Sequence, residues 1–336
     1  MDAYVEDKDV LFKAVFEHLQ HVEQQPQALL LDDDLLKRAE RSLDASTPQH
    51  LLWQLLGTGE RLLQLLQQDP RPLTRLLERT VLLIPFDDLK NAISADKLEE
   101  GLNSPSVPVQ LLCLAYISKA ADTPSGASFV AASSSLVKCL VTTWLSSEST
   151  EVAERSVEAI SALLTVDSPG TLTMIAAEGR MAETQGQGLL WRRIFQDPEV
   201  YSVLFEWTSL SSSRRDIKTK KGMQLVTISQ ARLFDFIVRA SQLDWTAITT
   251  SSLPEIEDKY VSSSTTIEHP YGGILRYAAS HMIDRKDYLM EFLRQDFFVK
   301  LLGVVEENNN RNVSQKLLEA IQHEAGVDST DDGLHL

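Results

Sequence analysis

The chain has 336 residues, 43% hydrophobic and 24% charged, with a net charge of −16 and a sequence pI near 4.9. So acidic a balance excludes an ordinary nucleic-acid binder, which needs clustered Lys and Arg to neutralise phosphate. Its two cysteines, Cys113 and Cys139, lie among aliphatic residues and exclude a disulfide framework, so a reducing compartment is expected.

The polar, acidic start of the chain does not read as a secretory or transit peptide. No apolar run approaches the roughly 18 residues that a membrane-spanning helix needs. A soluble, cytoplasmic protein with access to the nucleus is therefore expected. Residues 5–22 predict a first amphipathic helix with Val10, Leu11, Ala14, Val15 and Leu19 on one face. Asp32, Asp33 and Asp34 suit the positive end of a second helix. A Leu-rich helix is predicted over 51–67, loosened at Gly57 and Gly59. The next helix starts near Pro72 and stops at Pro85. Asp87 is expected to cap another that runs to about Leu102.

The clearest helical region is 105–166. Helices are predicted at 109–121, at 129–145 (one helix or a pair) and at 150–166, the last with Val152, Val157, Ile160, Leu163 and Leu164 in one stripe. Further helices are predicted near 171–181, 189–196 and 199–210. A polar, basic link follows at 211–222, then a helix over 223–243 with Leu233, Phe236, Ile237 and Ala240 inward. The Ser/Thr-rich stretch 249–271 reads as a long loop. The last helices are expected at 274–283, 288–293 and 297–306, with a disordered tail over 325–336.

A short motif returns along this series. Val109 to Ile117, Val152 to Ile160 and Val313 to Ile321 share the frame Val, four residues, a branched aliphatic, two residues, Ile. The first two copies are 43 residues apart and the third lies 161 further on, close to four such steps. A helical period of roughly 40–47 residues is that of HEAT or armadillo repeats. The fold expected is thus all-α, an armadillo/HEAT-like right-handed superhelical solenoid. One stack would span 1–324, with weak links at 211–222 and 249–271 and a concave face suited to holding another protein.

Specific stretches resemble a known family. The helix 107–120 looks like the long inner helix of an armadillo unit. Leu76 to Pro85, Asp88-Leu89-Lys90, Leu98-Glu99-Glu100-Gly101-Leu102 and the 107–120 helix are similar to the N-terminal part of the 26S proteasome non-ATPase regulatory subunit 5 family, whose fungal member has also been labelled a DNA mismatch repair protein. Gly273 to Met282 with Asp287-Tyr288-Leu289-Met290 resembles the same group. The resemblance implies a chaperone for assembly of the proteasome regulatory-particle base. It would cradle the C-terminal domain of an AAA ATPase subunit on its concave face, perform no chemistry and need no cofactor. The acidic surface favours a basic partner and a chain that is a monomer when free. The alternative is another armadillo or HEAT scaffold or adaptor, in nuclear transport or phosphatase assembly. The inner-face ladder of Trp and Asn used by nuclear-import adaptors is absent: its positions hold Ala115, Glu158 and Glu319, and Lys119, Ala162 and His323. Glu154, Glu158 and Glu319, with Arg79 and Lys119 upstream, are the residues expected to meet the partner.

Candidate chemistry is sparse. His18 and His21, beside Glu17, are spaced as two metal ligands on a helix, but two ligands do not close a zinc site. Asp328 to Gly333 has the carboxylates of a calcium loop without its position-twelve Glu. The 269–273 turn lacks the nucleophile elbow that an oxyanion loop would accompany. Arg214, Arg215, Lys218, Lys220 and Lys221 form the one basic cluster, read as a solvated loop or as a localisation or partner signal.

Overall fold

A computed structural model describes residues 8–168, 172–177, 180–211, 213–261, 270–307 and 313–327, with side chains left aside at 172–177 and 180–185. Among the described residues the regular structure is helical apart from one hairpin, so the expected all-α class holds at that level. The chain divides into two compact units, Met1–Val130 and Ala131–Leu336.

The first unit begins with α1 (Lys8–Gln24) and α2 (Asp33–Ser42). Helix α1 buries Leu11, Phe12, Val15, Leu19 and Val22, while Val10, expected inward, is exposed. Asp32 caps α2: its carboxylate accepts from the Leu35 N–H at 2.9 Å. α3 (Gln49–Leu63) and α4 (Arg71–Leu83) follow and pack together, with Leu52, Leu55 and Leu56 facing inward on one and Leu73, Leu76 and Leu77 on the other. The expected single helix from Asp87 to Leu102 is two helices, α5 (Phe86–Leu89) and α6 (Ala95–Leu102). Ser94 restarts the second by accepting from the Lys97 N–H, a local hydroxyl-to-backbone bond that competes with helix continuation. α7 (Val107–Ala120) packs on α4 and α6 and is buried at every position from Leu111 to Ile117. A helix apolar all round belongs at the centre of its unit. The division of the chain falls within α8 (Pro124–Ala132).

The second unit continues with α9 (Ser134–Ser146) and α10 (Thr150–Asp167). In place of the helix expected near 171–181 stands an antiparallel hairpin, β1 (Leu172–Ala177) and β2 (Arg180–Gln185), with Leu172 opposite Gln185 and Ala177 opposite Arg180. Thr171, Thr173 and Ile175 are β-branched and sit between Gly170 and Gly179, a composition that favours strand over helix. α11 (Leu189–Gln196), α12 (Pro198–Glu206) and α13 (Lys220–Leu243) follow. Within the stretch expected as a long loop lie the end of α14 (Trp245–Thr249) and all of α15 (Pro254–Tyr260). The last helices are α16 (Gly273–Ser280), α17 (Tyr288–Glu307) and α18 (Gln315–Glu324). α17 runs unbroken where two helices were expected, because Arg294 at the predicted break is itself buried and paired.

An aromatic chain runs through this core. Trp144 meets Phe236 at 4.9 Å between ring centroids, Phe236 stacks on Phe195, Phe195 reaches Tyr201, and Phe205 links Tyr201 to Tyr277. Several buried polar groups of the core are paired, while Asp167 Oδ1 and Arg276 Nε have no hydrogen-bond partner among the described residues. The Tyr201 hydroxyl donates to Glu257 Oε1 at 2.8 Å. The Gln230 amide donates to the carbonyls of Thr208 and Met282. Among the described residues no single helix is long and apolar enough to cross a membrane.

Candidate interaction surface

The motif copies start from their capping residues. In α7 the N-cap is Ser106 and in α10 it is Ser149, so Val109 and Val152 both occupy the third helical position. The branched aliphatics Leu114 and Val157, and then Ile117 and Ile160, follow at equal helical positions. In α18 the N-cap is Ser314, so Val313 lies before the helix and Ile321 comes four residues earlier in it than its counterparts. The first two copies therefore share a helical register and the third does not. Only the final Ile is fully buried in all three: Ile117, Ile160 and Ile321 are at most 1% exposed.

Helix α10 buries Val152, Ile160, Leu163 and Leu164 and exposes Glu151, Glu154 and Glu158. Spacings of three and four place these carboxylates on one outward stripe. Ser149 fixes the rotation of that stripe by accepting from the Val152 N–H at 3.4 Å. The five residues expected to meet a partner divide accordingly. Glu154 and Glu158 lie together on α10. Glu319 is exposed on α18, which packs against α17, and accepts from Gln315 Nε2 at 3.0 Å. In the first unit Arg79 donates to the Leu43 carbonyl at 3.2 Å and so closes the end of α2. Lys119 is folded back onto Asp122 at 2.6 Å with its side chain mostly covered. Arg79 and Lys119 thus carry internal duties as well as charge.

Of the basic cluster, Arg214 and Lys218 are exposed in the link and Lys220 and Lys221 on the first turn of α13, while Arg215 turns inward. Arg215 donates to the carbonyl of Ser146 at 2.7 Å and to the hydroxyl of Ser229. Arg232, which no sequence motif marks, donates from Nη1 to the carbonyls of Trp144 and Ser147 at 3.1 and 2.9 Å. Ser229 donates to the Leu145 carbonyl. Two guanidiniums and a hydroxyl therefore satisfy the C-terminal carbonyls of α9, where positive charge also meets the negative end of the helix dipole. Burial lowers the Arg232 pKa, with the Glu154 charge acting in the opposite sense. Arg215 is lowered by burial and by Arg232, against Glu148. Its guanidinium also lies 5.2 Å from the centroid of the Trp207 ring. Nearby, Arg214 pairs with Glu206 and Lys221 with Glu148.

His18 serves structure: its Nε2 accepts from the Asp32 N–H at 2.9 Å, at the entry to α2. Among the described residues no cluster of three His, Cys, Asp or Glu is placed to hold a metal ion. The calcium-like run at 328–333 lies outside them, as does His269. In the open cleft beside α11 and α12, Arg193 is bonded to the Ala131 carbonyl and to Asp197, and Asp197 also accepts from Ser134. No protein-family model matches this chain, and no curated protein matches it.

Proposed function

We propose that this protein is an assembly chaperone of the proteasome regulatory-particle base, holding the C-terminal domain of an AAA ATPase subunit without chemical change to it. The observation that carries the reading furthest is the α10 stripe of Glu151, Glu154 and Glu158, set on a helix that repeats the register of α7. Two helices with one motif in one register support a repeat architecture of the armadillo or HEAT kind. A folded partner with a basic face would meet the stripe and be steered to it by the net charge of −16. The resemblance in the 76–120 and 273–290 segments supplies the identity of that partner. The protein would act stoichiometrically, in the cytoplasm and nucleus, by occupying a surface that the ATPase later needs.

The experiment is affinity purification of the tagged chain at low salt, with mass spectrometry of what it retains. An ATPase subunit of the proteasome without core-particle subunits is the expected result. Glu154→Lys with Glu158→Lys should keep the helical circular-dichroism signal and reduce that recovery tenfold or more. Transport or phosphatase components in place of the ATPase would favour the adaptor alternative, and unchanged recovery would remove the stripe from the footprint.

A further inference from the structure

Helix α17 presents an apolar stripe to solvent. Tyr288 is 87% exposed, Phe292 58% and Val299 50%, and the stripe ends at Glu306. Exposed large apolar residues aligned on one helix face mark an interaction site more often than scattered ones do. Gly303 lies on the same face, and a Cβ built there would have nothing within 4 Å. A glycine inside a helix costs stability relative to alanine. Among the described residues nothing lies within 4 Å of that position.

We infer that α17 is a self-association surface that pairs antiparallel with α17 of a second copy of this chain. The occupant follows from how the stripe complements itself. Turned end for end about a point between Gln295 and Asp296, Phe292 meets the partner copy's Val299, and Tyr288, the largest side chain, meets Gly303, the smallest. Large and small then alternate across the contact, as close packing requires. Charge points the same way. Glu306 and Glu307 crowd the negative end of the α17 dipole, and among the described residues neither has an ion pair. Antiparallel pairing sets them beside the N-terminus of the other α17 and its exposed Lys286, while Arg285 there is already paired with Glu291. The carboxylates there, Asp284 and Asp287, already accept backbone N–H groups of Lys286 and of Leu289 and Met290. The contact is isologous, so it closes as a two-fold dimer. It departs from the monomer that the acidic surface alone suggests, and it is independent of the function proposed above.

The test is sedimentation velocity of the full chain from about 1 to about 500 µM, where an interface at the small end of the size range dissociates. A reversible dimer is expected. Phe292→Asp should weaken it at least tenfold. Gly303→Leu should do the same while leaving the monomer's melting temperature equal or higher, because the site is open within one chain. A monomer at every concentration, or a dimer unaffected by either variant, overturns the proposal. So does a dimer sensitive to Phe292→Asp but not to Gly303→Leu, since the seat for Tyr288 is then not in the interface.

Discussion

At the scale of single residues, side chains that look chemical are mostly holding helix ends. His18 is the clearest case. Burial lowers its pKa below the usual 6.5, with His21 adding to that and Asp32 opposing it. The neutral ring is the form that accepts the Asp32 N–H. A folded pKa below the unfolded one means that this contact stabilises above about pH 6.5 and is lost as the pH falls through the folded value. An NMR titration of the His18 ring should give a value below 6.5; one at or above 6.5 would mean that the imidazole is not the acceptor. The sequence shows His18 and His21 one helical turn apart and nothing of Asp32, which comes within reach only when α2 folds back. Arg215 and Arg232 were illegible for the same reason. Their acceptors are backbone carbonyls about 70 and 87 residues away, which no residue pattern encodes.

At the scale of elements, helix starts are legible where a capping side chain marks them, as Asp32 and Ser149 do one residue before α2 and α10, whereas α13 begins at Lys220 behind Thr219, three residues ahead of the expected 223. Helix continuity was less legible. Ser94 divides the 86–102 stretch although apolar residues continue through it, and α17 passes through Arg294, which looks like a surface residue until its partners Glu291 and Glu324 are in place. The acidic stripe of α10 could be read from spacing alone, because the buried and exposed positions of one helix are set by its own period. Whether Arg79, Lys119 and Glu319 share a surface with it depends on packing that spacing does not carry. The two glycines of α3 give a direct test of packing against propensity. A Cβ at Gly59 would lie 2.5 Å from Leu77 Cδ2, whereas one at Gly57 would meet nothing within 4 Å. Gly57→Ala should stabilise by about 0.5–1 kcal/mol through helix propensity. Gly59→Ala should destabilise by about 1–3 kcal/mol, since α4 must yield at Leu77. Urea midpoints of the two variants should therefore move in opposite directions; shifts of the same sign would contradict the close α3–α4 approach.

At the scale of the whole molecule, charge sets the response to acid. A net charge of −16 repels itself, and that repulsion relaxes as the pH falls toward the pI near 4.9. Below that, carboxylates held charged by the fold become the determining groups. For Glu291, burial would raise the pKa, but hydrogen bonds from Arg294 and Arg285 outweigh it and leave the group below its ordinary 4.5. Asp197 is likewise held below 3.8, since Ser134, Arg193 and the Glu199 N–H outweigh its burial. Depressed folded values mean stability that is present above the unfolded pKa and lost as the pH falls through the folded one. Chemical denaturation should thus show little loss from pH 7 to 5 and a steep loss from about 4.5 downward. Glu291→Gln should flatten that loss; an unchanged slope would show that the Arg294 cluster does not govern it.

The arginine closure of α9 also has a consequence for synthesis. The helix and its carbonyls leave the ribosome some 85 residues before Arg232 exists to bind them. At about 5–20 residues per second that is an interval on the order of 4–17 s. Throughout it, the nascent second unit carries a helix end with open acceptors and Trp144 without Phe236 to cover it. The completed α13 ends this interval, which makes it the latch of the second unit and makes the growing chain, before α13 emerges, the form most exposed to capture or misfolding.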